Sequence, residues 1–312
     1  MNGTEKDRVR VILDTDANNE IDDQHAIAYL LFSGDVFDVE GITSNRTSGG
    51  GPVDKHTEEA QRVVDLCDCA SLIRVRSGAD KSYAEIGDSV FCSSFDGSEA
   101  VDLIIERAHS RDARPLHVVA IGKLTNVALA LKKDPAIASK IRVVWLGTGP
   151  SDTSGGYNFH NDRECVNPVI ESGVAFDICP EDFANGTGAV KASRAEMIKF
   201  MRGLGPRISG TIPGRAGGAF SCFGDYSADL FERVDEEERS LYDVCALAIL
   251  REPSWATPVQ VSGYRVAGEA WEKSPKPGVF TVWKDFDREQ ILADFTFRCE
   301  QYALPVGCGQ PA

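Results

Sequence analysis

No apolar run in this 312-residue chain is long enough to cross a bilayer, and no positively charged leader with an apolar core stands at its start. The expectation is a cytoplasmic protein. Positive charge is also scarce, because 33 Lys and Arg against 48 Asp and Glu leave a net charge of −15. That balance opposes a nucleic-acid polymer or an anionic membrane as partner and favours a small neutral substrate. The nine cysteines are an odd number scattered through the chain, and Cys67-x-Cys69 has no second pair to complete a zinc site. They read as reduced core thiols rather than a disulfide framework. The loop Ser48-Gly49-Gly50-Gly51-Pro52 has neither the Lys nor the spacing of a phosphate-binding loop. Disorder is excluded by a hydrophobic content of 42% with 26% charged residues, enough at this length for one large α/β domain over residues 1–312.

What the chain does have is an acidic concentration near its start. Val9, Val11, Ile12 and Leu13 form an apolar run, and Asp14, Asp16, Glu20, Asp22 and Asp23 follow within ten positions. The run suits a buried strand, and from Asp22 onward Ala26, Ile27, Leu30 and Leu31 recur at helical spacing. In open α/β sheets the crevice beyond the carboxyl ends of the strands is where ligands bind. Carboxylates gathered there repel one another unless a hard cation holds them, and Ca²⁺ or Mg²⁺ suits oxygen ligands. A helix start would welcome Asp22 or Asp23 but leaves Asp14 and Asp16 unexplained. An EF-hand loop fails, since its sixth position would be Asn19 and its twelfth His25.

Further strands are expected at Phe37 to Thr43, Leu72 to Arg76, Leu116 to Ile121, Ile141 to Leu146 and Phe176 to Pro180, with helices near residues 54–67, 98–109 and 193–202. Alternation of this kind predicts a Rossmann-like α/β fold, a mainly parallel central sheet flanked by helices. Arg207 to Asp229, rich in Gly and Ser, reads as a long irregular segment of the kind that forms lids. Val259 to Val266, Val279 to Phe286 and Gln290 to Arg298 alternate like strands, the last two as an antiparallel C-terminal edge hairpin around Asp287-Arg288. His56 is expected at the surface.

Candidate polar residues fall after successive strands: Asn45, then Leu124-Thr125-Asn126, then Gly147-Thr148-Gly149 with Gly156-Tyr157-Asn158 and Asp162, and finally Tyr242-Asp243 opening an apolar helix. Asn45 also reads as an ordinary turn residue, and Thr125 or Asn126 equally as a helix cap. Together with Asp14-Thr15-Asp16 and Asp22-Asp23, these motifs over roughly residues 9–300 resemble the nucleoside hydrolase family. Five residues separate the two acidic parts where the family has three. Gly156 stands where the family has Glu, Arg163 where it has Pro, and Tyr242 where it has His.

The resemblance implies Ca²⁺-dependent hydrolysis of the N-ribosidic bond of a ribonucleoside-like small molecule. Asp23, Asp243 and the Thr125 carbonyl would hold Ca²⁺, with Asp14 bridging the ion and a water. Asp22, Asn45 and Asn158 would face the ribose, and Asp16 would sit among them while orienting Asp14. For the departing base it leaves Tyr242 and His160. Family members are often oligomers, so a homo-oligomer is an expectation too. Two rival readings stand beside it. Asp14-x-Asp16 with Gly224-Asp225-x-x-x-Asp229 also fits a haloacid-dehalogenase-like phosphatase, and the motif departures also fit a member that binds a ribosyl ligand without cleaving it.

Overall fold

The computed structural model describes residues 8–151, 155–181, 185–276 and 278–308. In chain order the elements are β1 (Val9–Thr15), α1 (Asp22–Leu31), β2 (Phe37–Ser44), α2 (Val53–Leu66), α3 (Tyr83–Ile86), α4 (Ser98–Ala108), β3 (Leu116–Ala120), α5 (Thr125–Lys133), β4 (Ile141–Gly147), α6 (Tyr157–Asn161), α7 (Val166–Glu171) and β5 (Ala175–Pro180). There follow β6 (Lys191–Ser193), α8 (Arg194–Met201), β7 (Ile212–Pro213), β8 (Ala219–Phe220), α9 (Phe223–Glu232), β9 (Glu238–Ser240), α10 (Tyr242–Arg251), β10 (Thr257–Ser262), β11 (Tyr264–Ala267), β12 (Ala270–Lys273), β13 (Val279–Lys284) and α11 (Arg288–Glu300).

Seven strands form the central sheet in the order β10-β13-β5-β4-β3-β1-β2. All neighbours run parallel except β10, which lies antiparallel to β13 at the edge. Central strands of such a sheet are covered on both faces, so they read as continuous apolar runs. Val11, Ile12 and Leu13 are accordingly buried on alternate sides, Val11 and Leu13 in one core and Ile12 in the other. The first core is closed by α1, α2, α8, α9, α10 and α11, the second by α4, α5 and α7. Chain order places the crossover reversal between β1 and β3, where ligands bind in sheets of this kind.

Three expectations are corrected. Gln290 to Arg298 lies within helix α11, whose buried Ile291, Phe295, Arg298 and Cys299 recur at spacings of four, three and one. Its alternating Ile291, Ala293, Phe295 and Phe297 imitate a strand, but Asp287 accepts a hydrogen bond from the Gln290 amide and starts a helix there. The antiparallel edge is therefore β10 on β13, and the expected strand Val259 to Val266 is broken at Gly263, whose φ of +71° turns the chain into a separate β11–β12 hairpin.

The expected strand Leu72 to Arg76 reduces to one bridge between Arg76 and Thr43, because the Val75 amide donates to Gln61 Oε1 at 2.9 Å instead of to β2. Within Arg207 to Asp229, Phe223 to Asp229 opens helix α9 rather than continuing a loop. Gly224, read as a loop residue, is where α9 meets α8: a Cβ there would lie 2.1 Å from the Met201 carbonyl oxygen. None of the described helices is long and apolar enough to cross a membrane.

Candidate active site

The loop between β1 and α1 is tied down before its carboxylates are aimed. Asn18 Nδ2 donates to Gly50 O at 2.7 Å, Gln24 Nε2 to Ala17 O at 2.7 Å, and Asn19 N to Asp16 O at 3.1 Å. His56 is buried beneath the loop, not at the surface, with Nδ1 2.8 Å from the Asp16 carbonyl oxygen. Burial lowers its pKa and so keeps the ring neutral. Gly50 adopts a φ of +77°, and a Cβ there would stand 2.7 Å from the Asn18 carbonyl carbon, so the glycine loop works as the bed for the acidic loop.

At the top of the sheet, Asp22 and Asp23 open α1 and Asp243 opens α10, two helices that pack against each other. Neither helix start is capped by a side chain. Instead one oxygen from each of the three carboxylates lies within 4.8 Å of the others, and all three side chains are buried. Asp16 adjoins them, its amide donating to Asp23 Oδ1 at 3.2 Å.

Electrostatics bind the four into one group. Burial, then the Asp23 and Asp22 charges, push Asp16 well above the carboxylate range. Burial, then Asp22, Asp23 and Asp16, do the same to Asp243. Asp22 is raised by burial, by Asp23 and by Glu181, while burial lifts Asp23 to about 6 against hydrogen bonds from the Thr15 hydroxyl and the Asp16 amide. Two helix N-termini offset some of that repulsion, not all of it.

Asp14 stands apart from this group. Its Oδ1 accepts from Thr43 Oγ1 at 2.6 Å and from Asn126 Nδ2 at 2.8 Å, and its Oδ2 from Asn45 Nδ2 at 3.1 Å. Burial raises it to about 6, the three neutral donors pull it down, and no other carboxylate contributes among the main causes. The expectation that Asp14 bridges an ion and a water thus meets a side chain enclosed by donors. Asp16, expected behind it, is the one facing Asp23. Its Oδ2 is held by Thr47 and by Asn19 Nδ2 at 2.6 Å, while Oδ1 is buried without a partner.

The cleft beside the three aspartates measures about 160 Å³ and is also lined by Ile121, Leu146, Tyr157, Asn158 and Tyr242. It opens beyond the carboxyl ends of β1, β3, β4 and β5. Asn158 Nδ2 donates to Ile121 O at 2.8 Å and to Leu146 O at 3.1 Å, which leaves its buried Oδ1 unpartnered at the cleft. Asn45, by contrast, spends its amide on Asp14 and the Lys123 amide, beneath the cleft. Thr125 is buried at the start of α5 with its hydroxyl donating to Asp162 at 2.5 Å, and it does not line the cleft. His160 is exposed, its ring against Phe159, and does not line it either.

Glu181 and Arg239 went unread in the sequence, and Asn126 reads there only as a helix cap. Asn126 donates to Asp14 and to Ser44 O at 2.9 Å and accepts from the Ala79 amide at 2.9 Å, tying the start of α5 to the ends of β1 and β2 and to the loop at Ala79. Glu181 follows β5 and lines the cleft, a strand-end carboxylate like Asp14 and equally open to recognition. Arg239 on β9 pairs with Glu20, and both line the cleft. The buried Arg239 Nε has no partner. No spacing rule announces Arg239.

The donor set fits a hard divalent cation. Three buried carboxylates converge, and Asp16 Oδ1 and Asp243 Oδ1 are buried acceptors that nothing among the described residues satisfies. The phosphatase reading finds no counterpart. Asp225 sits in the first turn of α9, accepting from the Gly203 amide at 2.8 Å, and Asp229 pairs with Arg233 at 2.9 Å, so neither follows a central strand.

Fold and site together define an α/β enzyme with a carboxylate-lined cleft at the switch point of a parallel sheet. Residues 11–293 match the model of the family described as inosine-uridine preferring nucleoside hydrolase, and the chain belongs to that family of N-glycosidases. It is 25% identical over 277 residues to the inosine-uridine preferring nucleoside hydrolase of Leishmania major, covering 81% of this chain and 82% of that protein. It is 29% identical over 196 residues to the non-specific ribonucleoside hydrolase RihC of Salmonella agona, covering 57% of this chain and 62% of that one. In fold it resembles a purine-preferring ribonucleoside hydrolase from Gardnerella vaginalis, with a TM-score of 0.70 at 20% identity over 93% of this chain and 98% of the other. A plant nucleoside hydrolase, PpNRh1, gives a TM-score of 0.71 at 18% identity with the same coverage.

Proposed function

We propose that this chain hydrolyses the N-ribosidic bond of a ribonucleoside, releasing ribose and free base, and that it requires Ca²⁺ to do so. The observation that carries the reading is the three buried carboxylates of Asp22, Asp23 and Asp243, whose oxygens converge at the cleft, with Asp243 Oδ1 and the adjoining Asp16 Oδ1 both buried and unsatisfied. Asp22, Asp23 and Asp243 would hold the ion. A bound Ca²⁺ would balance their charge, take up a vicinal diol and lower the proton affinity of a nearby water.

Asp16, with one oxygen fixed by Thr47 and Asn19, is the base: its open Oδ1 takes the proton of the attacking water. Asp14 serves as a positioning residue, anchoring Thr43 and Asn45 at the end of β2 and Asn126 at the start of α5. Asn158 Oδ1 accepts from a sugar hydroxyl, its amide being already committed to two backbone carbonyls. As the bond to the base breaks, the sugar becomes oxocarbenium-like, and the surrounding carboxylates suit that positive charge. Tyr242, which lines the cleft, would give a proton to the departing base. Arg239 keeps its own proton and steadies the base's developing negative charge by hydrogen bonding. Such chemistry needs no partner beyond a small nucleoside, in keeping with the net charge of −15.

The test is reducing-sugar release from a panel of purine and pyrimidine nucleosides, with calcium or with a chelator. Release should require calcium and fall about a thousandfold or more in Asp16→Asn, as loss of a general base does. Activity indifferent to both chelation and that substitution refutes the reading. Ligand-induced thermal stabilisation with no ribose released would instead mark a binding protein.

A further inference from the structure

Gly156, at the entry to α6, is where this chain differs from the family motif by losing a carboxylate, and the space it leaves is filled. A Cβ built on Gly156 would lie 2.4 Å from Glu181 Oε1, 2.8 Å from its Cδ and 3.3 Å from Oε2. The carboxylate of Glu181, carried on the end of β5, therefore occupies the position a side chain at residue 156 would take. Glu181 lines the same cleft as Asn158 and Asp22. It does not belong to the group of three carboxylates within 4.8 Å of one another.

Those observations fix what such a carboxylate can bind. A second dication is disfavoured, because a lone carboxylate with an asparagine offers too few oxygens. An anionic group such as a phosphate is repelled by Glu181, Asp22 and Glu20 together, with Arg239 already paired to Glu20. A neutral hydroxyl, donating to the carboxylate, fits.

A ribosyl group has three free hydroxyls. In the function proposed above, on which this inference rests, the two of the vicinal diol go to the ion. The third is the 5′-hydroxyl. We infer that Glu181 is a specificity-determining residue of this chain, reaching across the gap left by Gly156 to accept the 5′-hydroxyl, so that the enzyme takes nucleosides and rejects 5′-phosphorylated ones.

The experiment compares kcat/KM for inosine, uridine and their 5′-deoxy analogues in the wild type, Glu181→Ala and Glu181→Gln, all loaded with calcium. An acceptor placed for a hydroxyl discriminates against its absence, and a hydrogen bond to a charged group is worth about 10- to 100-fold. The wild type should prefer the 5′-hydroxylated substrate by that factor. In Glu181→Ala the preference should shrink to within about threefold, through slower turnover of the hydroxylated substrate with the 5′-deoxy analogue unchanged. Glu181→Gln should fall between. Gly156→Ala, which displaces the Glu181 carboxylate without removing it, should lose part of the same preference. Inosine 5′-monophosphate should gain on inosine in Glu181→Ala.

Full retention of the 5′-hydroxyl preference in Glu181→Ala overturns the inference, as does a wild type with no such preference. Failure of the underlying function looks different: the wild type then releases no sugar from any nucleoside, and its melting temperature in calcium does not respond to D-ribose.

Discussion

Replacing Asp23 by Asn should make the ion-free protein more stable and the calcium-loaded protein comparatively less so. Asp23 is buried, and its carboxyl is lifted from the ordinary 3.8 to about 6, first by desolvation. A folded-state pKa above the unfolded one means the native state binds the proton more tightly. The cost of ionising Asp23 is therefore absent below about pH 4, grows as pH rises and is complete above about pH 6. At 1.36 kcal/mol per decade of proton affinity, that rise corresponds to about 3 kcal/mol at pH 7.5.

Asparagine removes the charge and keeps an oxygen to accept from Thr15 Oγ1 and the Asp16 amide. It also relieves Asp16, Asp22 and Asp243, each raised by the Asp23 charge. In chelator at pH 7.5, Asp23→Asn should melt about 5 °C above the wild type, taking roughly 2 °C per kcal/mol for a chain of this size. At a thousandfold excess over its dissociation constant, calcium should restore about 4 kcal/mol to the wild type and little to the variant, so the order reverses. Scanning calorimetry with and without calcium reads both. An ion-free variant that melts at or below the wild type, and responds to calcium equally, refutes the argument that these carboxylates are held together for an ion.

Asp16→Asn and Asp14→Asn should separate. The first should remove about three orders of magnitude of kcat with little change in folding, whereas the second, leaving one acceptor oxygen for three donors, should cost about 2 kcal/mol in urea unfolding and less than tenfold in kcat. Equal kcat losses refute the division. Because Asp23 holds a proton up to about 6, calcium must displace protons there, so affinity should fall as pH drops below 6 and flatten towards pH 8. Calorimetric titration in buffers of different ionisation enthalpy would show proton release at pH 6 fading by pH 8, and a pH-independent affinity sinks the claim. Arg10→Met should cost about 3–5 kcal/mol while leaving kcat unchanged, since its buried guanidinium serves Glu40, Ser110 and the Arg107 and Arg114 carbonyls at the opposite end of β1. A kcat loss in a folded variant would contradict that separation.

The parallel sheet was legible because strands covered on both faces are simple in composition: Leu116 to Ala120 and Ile141 to Gly147 are almost wholly apolar. Period failed where both readings fit the same residues. Ile291, Phe295 and Cys299 line one helix face, yet with Ala293 and Phe297 between them they alternate as well. The acidic loop was legible as a ligand site from the mutual repulsion of its carboxylates alone. Which aspartate does what was not, because Asp14 and Asp16 are the same residue type two positions apart. Their fates are decided by Thr43, Asn45 and Asn126 against Thr47 and Asp23, partners supplied by β2 and the loop after it, α5 and α1.

The motif departures yield to the same reasoning. Gly156 and Tyr242 read in sequence as a lost carboxylate and a lost histidine, and a linear motif can register only the loss. In space, Gly156 is the neighbour of Glu181, and Tyr242 shares its cleft with Arg239 three residues earlier. Both newcomers sit on elements that already end at the site, β5 and β9, so neither needed the backbone to move. A cleft assembled from several strand ends can exchange the element that supplies a charge while keeping the place where the charge stands. The five-residue loop from Ala17 to Ile21 shows the same tolerance, because its extra length is absorbed by Asn18's contacts to Gly50 and His56 while Asp16, Asp22 and Asp23 still meet. What is held constant in such a site is the position of the oxygens about the ion and the sugar, not the residue numbers that deliver them.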